Sequence, residues 1–183
     1  MSFTNGWWEH ARCVPSPNFN DRPSGRDPSL LVIHNISLPP GEFGGNQVER
    51  FFLNKLDTDE HPFFREIEGV TVSAHFFIRR TGEVIQFVSV DQRAWHAGVS
   101  EFQGEENCND FSLGVEMEGT DEIPYETLQY QALVGLTKDL MVEYPDIISN
   151  RITGHSDIAP GRKTDPGPAF DWTRYLSSLN EPE

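Results

Sequence analysis

Leu30-Leu31-Val32-Ile33 is the run that most constrains the fold. Four consecutive large aliphatic side chains leave a strand no polar face, so a strand here has to be covered on both sides. That places Ser29 to Asn35 in the interior of a sheet, with helices or loops packed above and below it. The run breaks into polar groups at His34-Asn35, its C-terminal end, and Pro39-Pro40-Gly41 and Gly44-Gly45 mark a loop beyond.

The rest of the chain supplies what such a strand needs. Val48, Phe51, Phe52 and Lys55-Leu56 recur at roughly helical spacing and predict a short helix. Leu56 to Gly69 reads as irregular and acidic. Val70 to Arg80 and Glu83 to Val90 read as a hairpin about Thr81-Gly82, with Val70, Val72, Ala74, Phe76 and Ile78 on one face of the first arm and Thr71, Ser73 and His75 on the other. Phe111 to Glu118 alternates in the same way and turns Glu116 and Glu118 to one side. Such a strand is either solvent-exposed or lines a site, and exposure is the expectation. Tyr125 to Tyr144 is the one long helix, with an apolar stripe of Leu128, Ala132, Leu136, Leu140 and Val142, and Pro145 stops it. Asp171 N-caps a closing helix that runs to Leu179. Strands and helices that interleave around one hairpin predict a single α/β domain with a mixed central sheet flanked by helices. The 183 residues suit one domain, 1–183, in which 1–28 form a polar, turn-rich wrap and 29–179 the core.

Charge excludes several classes of partner. Lys and Arg number 14 against 29 Asp and Glu, a formal charge of −15, and no basic run appears. Phosphate neutralisation needs clustered cations, so nucleic acid is not an expected ligand. Anionic membrane surfaces are disfavoured for the same reason. The N-terminal stretch lacks the basic start and continuous apolar core of a secretory signal. Cys13 and Cys108 are too few for a disulfide framework and read as free thiols, which fits a cytoplasmic address. No obligatory protein partner is predicted.

Gly154 to Gly167 is the stretch richest in chemistry. Glycines and prolines punctuate a loop that holds His155 and Asp165 ten positions apart, with Arg162-Lys163 between them. Joined in space with His34, they make an N/N/O set, the stoichiometry of a catalytic zinc with one position left to water. The residues alone leave a plainer reading open, in which the histidines are satisfied core groups, because the local spacing His-x-x-x-His is absent. His10 and His61 lie in polar, loop-like sequence and take no role.

Several blocks then occur in order: His34 to Gly41, Ser73-Ala74-His75, Arg93-Ala94-Trp95-His96-Ala97-Gly98, Asn109 to Ser112, Glu116 to Asp121, and Gly154-His155 through Lys163-Thr164-Asp165-Pro166-Gly167. Together they resemble the zinc-dependent N-acetylmuramoyl-L-alanine amidases, and within them the cytoplasmic type that acts on 1,6-anhydro-muropeptides in cell-wall recycling. The likeness runs from about Trp7 to Trp172, and the fold it implies is that of the amidases and peptidoglycan recognition proteins.

The resemblance implies one Zn²⁺ per chain held by His34, His155 and Asp165, with Glu116 as catalytic carboxylate and Lys163 as second catalytic group. Asn35, His75 and Trp95 match residues lining the substrate groove, and Arg162 matches a position that binds a carboxylate of the peptide stem. Thr71 and Asn107 stand where the family tends to carry arginine, which bears on how firmly an anionic muropeptide is held. The implied reaction is hydrolysis of the amide between the lactyl group of the muramyl sugar and L-Ala. Glu116 activates water and later protonates the amine, and zinc and Lys163 stabilise the oxyanion. Two other readings fit the fold: a non-catalytic muropeptide sensor, which generally lacks part of the zinc set, and a lytic amidase acting on intact wall.

Overall fold

The computed structural model describes residues 2–180. Short strands β1 (Phe3–Thr4), β2 (Trp7–Trp8), β3 (Arg12–Cys13) and β4 (Phe19–Asp21) precede the apolar run, which forms β5 (Leu30–Ile36). Helices α1 (Gln47–Phe52) and α2 (Pro62–Glu66) lead to β6 (Phe76–Ile78), β7 (Val84–Gln86), β8 (Gln92–Ala94) and the small ribbon of β9 (Glu101–Phe102) and β10 (Glu105–Glu106). The remainder is β11 (Ser112–Glu118), α3 (Thr127–Glu143), β12 (Ile152–Gly154), α4 (His155–Ile158) and α5 (Trp172–Leu179). Among the described residues no helix is long and apolar enough to cross a membrane.

Six strands form one mixed sheet in the order β12-β5-β11-β6-β7-β3. The first four are parallel, β7 returns antiparallel to β6, and β3 adds parallel to β7. The strand apolar on both faces is interior, as its composition requires. Leu31 and Ile33 pack with Leu113, Val115 and Met117 of β11 beneath Leu133, Leu136 and Leu140 of α3 and Tyr175 of α5. Leu30 and Val32 face the other way, against Ala97, Cys108, Phe111 and Ile158. A neighbouring cluster on the β6–β7 side joins Val48, Phe51 and Phe52 of α1 and Phe64 of α2 to Phe77 and Ile85.

Several expectations change. The 56–69 stretch contains α2, whose Pro62 opens the helix and whose preceding His61 accepts the N–H of Phe63 at Nδ1 (3.1 Å). Five helical residues are too few to show a period. The first hairpin arm is regular only at 76–78. Ala74 lies in the same cluster as Phe77, whereas Phe76 and Ile78 lie in the other, so the expected stripe breaks at the bend at His75, and Val70 is exposed. On α3, Leu128 and Val142 are also exposed. The buried face is Gln129, Tyr130, Leu133, Leu136, Thr137 and Leu140, an i, i+3, i+4 series rotated from the predicted one.

The expectation that β11 exposes its carboxylates is overturned. Paired on both edges, the strand lies inside, and Glu118 is buried with its two oxygens accepting the backbone N–H groups of Gly44 (2.6 Å) and Arg80 (2.9 Å). Residues before 29 are more than a surface wrap. Phe3 and Trp8 enter the core, and the half-buried Arg22 donates through its guanidinium to the carbonyls of Val90, Asn109, Asp110 and Ser112.

Candidate active site

Strand register brings the chemistry to one level. Glu116 on β11 lies opposite His34 on β5, and Gly154 on β12 lies opposite Ile33, so His155 follows at the height of His34. These are the carboxyl ends of parallel strands, where open α/β sheets leave a crevice for ligands. The chain turns into α4 at His155, and Asp157 accepts from the Gly154 N–H and the Thr153 hydroxyl (3.0 Å each). Asp165 comes back beside it because the Ser156 N–H donates to the Asp165 carbonyl (2.9 Å). The next carbonyl, of Pro166, is clasped by the Tyr125 hydroxyl (2.8 Å) and the Asn35 amide (3.1 Å).

The result is a triangle. His34 Nδ1 and His155 Nδ1 are 3.0 Å apart, and Asp165 Oδ2 lies 3.1 Å from the first and 3.0 Å from the second. Three lone-pair atoms aimed at one point call for a cation. Tetrahedral zinc with bonds of about 2.0–2.1 Å separates its ligand atoms by about 3.3 Å, so the donor set fits such an ion in kind and closely in size. Each imidazole uses its other nitrogen elsewhere: His34 Nε2 meets His96 Nδ1 at 2.9 Å, and His155 Nε2 meets the Ala97 carbonyl at 3.1 Å.

Protonation is tuned to match. Burial brings His34 down to about 4 despite the Asp165 carboxylate beside it, so the ring is neutral and able to ligate at neutral pH. Burial alone pushes the Asp165 carboxyl up, but the adjacent His155 and His34 rings outweigh that and hold it below the usual carboxylate range. Glu116 moves the opposite way. Burial, reinforced by the charge of Asp165 and opposed by Lys163, raises it well above an ordinary glutamate. Its Oε2 is enclosed without a hydrogen-bond partner.

A cavity of about 630 Å³ contains these groups. His34, His155, Asp165 and Glu116 line it together with Asn35, Trp95, Arg162 and Lys163, while Leu38, Phe51, Phe63, Ile67 and Val70 give it an apolar part. Trp95 is fixed from the N-terminal segment, its indole N–H donating to Asn20 Oδ1 (2.6 Å). Arg162 donates through Nη2 to the Ala97 and Val99 carbonyls (2.6 Å each). Asn35 spends its amide N–H groups on Asp121 Oδ1 (2.8 Å) and Pro166, so it braces the Asp165 loop as well as facing the cavity.

His75 is the exception among the residues the sequence singled out. It lies off the cavity wall, fully buried, with Nδ1 accepting the Gly114 N–H (3.0 Å) and Nε2 against the Gln92 carbonyl (3.0 Å). The break in alternation at 75 turns its ring inward. Glu118, which the strand alternation turns to the same side as Glu116, is likewise outside the cavity. His96, which the sequence shows only within the block Arg93 to Gly98, contacts a ligand of the triangle.

Known proteins share this architecture. The family model described as N-acetylmuramoyl-L-alanine amidase matches residues 24–168. The 1,6-anhydro-N-acetylmuramyl-L-alanine amidase AmpD of Enterobacter cloacae is 58% identical over 179 residues, covering 98% of this chain and 95% of its own length. A crystal structure of a selenomethionine AmpD derivative superposes with a TM-score of 0.95 at 54% identity, covering 98% of this chain and 99% of that one. AmpDh3 from Pseudomonas aeruginosa, solved in complex with anhydromuramic pentapeptide, gives a TM-score of 0.61 at 29% identity, covering 85% of this chain and 61% of that one.

Proposed function

The chain belongs to the N-acetylmuramoyl-L-alanine amidase family, and from that premise we infer that it hydrolyses the amide between the lactyl group of 1,6-anhydro-N-acetylmuramic acid and the L-Ala of its stem peptide, using one zinc ion held by His34, His155 and Asp165. The bond class rests on the near full-length relationship to enzymes of that name and on a related fold crystallised with an anhydromuramic peptide. The observation that carries the mechanism is the enclosed, unpartnered Oε2 of Glu116 in the cavity of the three-donor triangle.

Bound there, zinc supplies Lewis acidity towards the scissile carbonyl and lowers the pKa of water towards neutrality. The protein does the rest. Glu116 Oε2 takes a proton from the attacking water as the new C–O bond forms, and returns it to the amine nitrogen as the C–N bond breaks. A carboxylate whose pKa is raised by burial is the stronger base, which suits the first half of that transfer. The charge of Lys163 opposes that rise and helps keep the carboxylate available as a base. Lys163 places positive charge where the oxyanion develops. Trp95 offers an indole face to the C–H groups of the sugar, and Arg162 offers donors to a carboxylate of the peptide.

A sensor on the same fold has no use for an enclosed unpartnered carboxylate beside a complete donor set, which favours the enzyme. The role in recycling, and with it a cytoplasmic address, is part of the proposal and rests on the anhydro-specific relatives. Turnover of soluble anhydro-muropeptide and of intact sacculi at matched bond concentration tests it. Rapid release of L-Ala-started peptide from the first and little from the second is expected, and comparable rates on both would overturn the recycling assignment. Zinc content below about one per chain in active protein would overturn the metal assignment.

A further inference from the structure

The segment 95–98 sits beside the donor triangle without supplying a ligand to it, yet both histidine ligands end on it. The Ala97 carbonyl receives His155 Nε2 (3.1 Å), and His96 Nδ1 receives His34 Nε2 (2.9 Å). Its own backbone is pinned: Asn109 Oδ1 accepts the N–H of His96 (3.1 Å) and of Ala97 (2.8 Å). Asn109 is itself buried, and His96 passes on to the buried Ser112 hydroxyl through Nε2 (3.1 Å). Two adjacent residues, fixed by one amide, thus hold the outer nitrogen of each ligand ring.

Donor and acceptor chemistry restricts the protons. A carbonyl only accepts, so His155 carries a hydrogen on Nε2, and the singly protonated ring that a cation requires is then bare at Nδ1. Between His34 and His96 two arrangements satisfy the chain. In one, His34 Nε2 donates to His96 Nδ1 and His96 Nε2 donates to Ser112. In the other every donation reverses, and the hydrogen on His34 sits at Nδ1, inside the triangle. Only the first leaves His34 a lone pair for a cation. The seat of the His96 ring is shaped for it, since a Cβ at residue 114 of β11 would lie 2.5 Å from His96 Cγ and 2.6 Å from Nδ1. Only glycine leaves room.

We propose that His96–Ala97, pinned by Asn109 and seated on Gly114, is the positioning element of the metal centre. It fixes the rotation of both imidazole ligands and holds their hydrogens on Nε2, so that both Nδ1 atoms face the cation. These are positioning residues rather than catalytic ones. The proposal rests on the assignment of zinc to His34, His155 and Asp165.

Zinc affinity, measured by competition with a chromophoric chelator, tests it without reference to turnover. Loss of such outer partners costs about 10–100-fold in metal affinity. That fall is expected for His96→Ala, Asn109→Ala and Gly114→Ala. His96→Asn, whose side-chain oxygen falls near the position of Nδ1, is expected to recover most of it. Folded His96→Ala that binds zinc as tightly as the wild type overturns the proposal. Should the variants fail to fold, nitrogen–proton correlation spectra of the ¹⁵N-labelled, zinc-loaded wild type decide. Hydrogens on Nε2 of His34, His96 and His155 support it, and a hydrogen on Nδ1 of His96 overturns it. A wild type that binds no zinc refutes the metal assignment instead, so the two failures are distinct.

Discussion

Glu116 and Glu118 stand two residues apart on β11, and replacing each by glutamine is expected to give opposite phenotypes. Glu118 is 4% exposed and satisfies two backbone N–H groups, one from the loop at Gly44 and one from the turn at Arg80. Glutamine offers one oxygen where the carboxylate offered two, and sets an NH₂ against the second N–H. A buried donor left unsatisfied costs about 1–3 kcal/mol. For a domain of this size each kcal/mol moves Tm by about 2–4 °C, so Glu118→Gln should unfold roughly 2–12 °C lower. Its kcat should stay within a few-fold, because the residue does not reach the cavity. Glu116 has no partner at Oε2 and sits in surroundings that already disfavour its charge. Glu116→Gln should therefore leave the Tm of metal-free protein unchanged or raise it, keep the zinc, and lower the single-turnover rate by about 10²–10⁴. Thermal unfolding with and without chelator, zinc content and single-turnover kinetics on both variants make the comparison. A Glu118→Gln protein with normal Tm and lost rate, or a Glu116→Gln protein that loses its metal, refutes the reasoning.

Three further outcomes are expected. His34→Ala, His155→Ala and Asp165→Ala should each fail to retain zinc through gel filtration, and full occupancy by elemental analysis would count against that variant's parent residue as a ligand. Burial first, and then the charge of Arg22, bring His75 down to about 3 from an ordinary value near 6.5. The fold thus binds fewer protons than the unfolded chain, and the stability from this group is complete above about pH 6.5 and is lost as pH falls towards 3, by about 1.4 kcal/mol per unit. In urea unfolding of chelated protein, the advantage of wild type over His75→Asn should shrink by about 1 kcal/mol per pH unit below 6, and a constant gap would show that His75 is not the source. Gly167 has φ +79°, and a Cβ there would lie 2.2 Å from Asp121 Cα. Gly167→Ala should displace the turn after Asp165, lowering both Tm and zinc affinity, and normal values of both would show that the turn relaxes freely.

The interior strand, the long helix and the Asp171 cap were legible because each leaves a local mark: an unbroken aliphatic run, a helical period, or a capping residue before one. His34, His155 and Asp165 leave no such mark, and only the resemblance across the ordered blocks joined them. What was not legible depends on neighbours. Nothing in the alternation of β11 separates Glu116 from Glu118, because the distinction lies in which loop reaches each one, Gly44 and Arg80 closing over the second. His75 looked groove-facing until the bend beside it reversed the parity of the arm. His96 carries no spacing signal, since its partner is 62 positions away and its seat is a missing side chain on a third element. The helix at Pro62 was too short for periodicity, although His61-Pro62 is a legible start.

The order in which the sheet is threaded matters for a chain still being made. Leu30–Ile36 precedes both of its neighbours, β11 and β12, by a long stretch of chain, and Leu31 meets Ile152 only once the whole of that stretch exists. The ligands are spread likewise, with His34 separated from His155 by 121 positions and from Asp165 by 131. A nascent chain therefore carries its most apolar strand with both edges open until β11 has been made, the condition in which strands pair wrongly. It also cannot close a metal centre until the ribosome has passed Asp165. A cation held by all three donors can therefore bind only after β5, β11 and β12 have all been made.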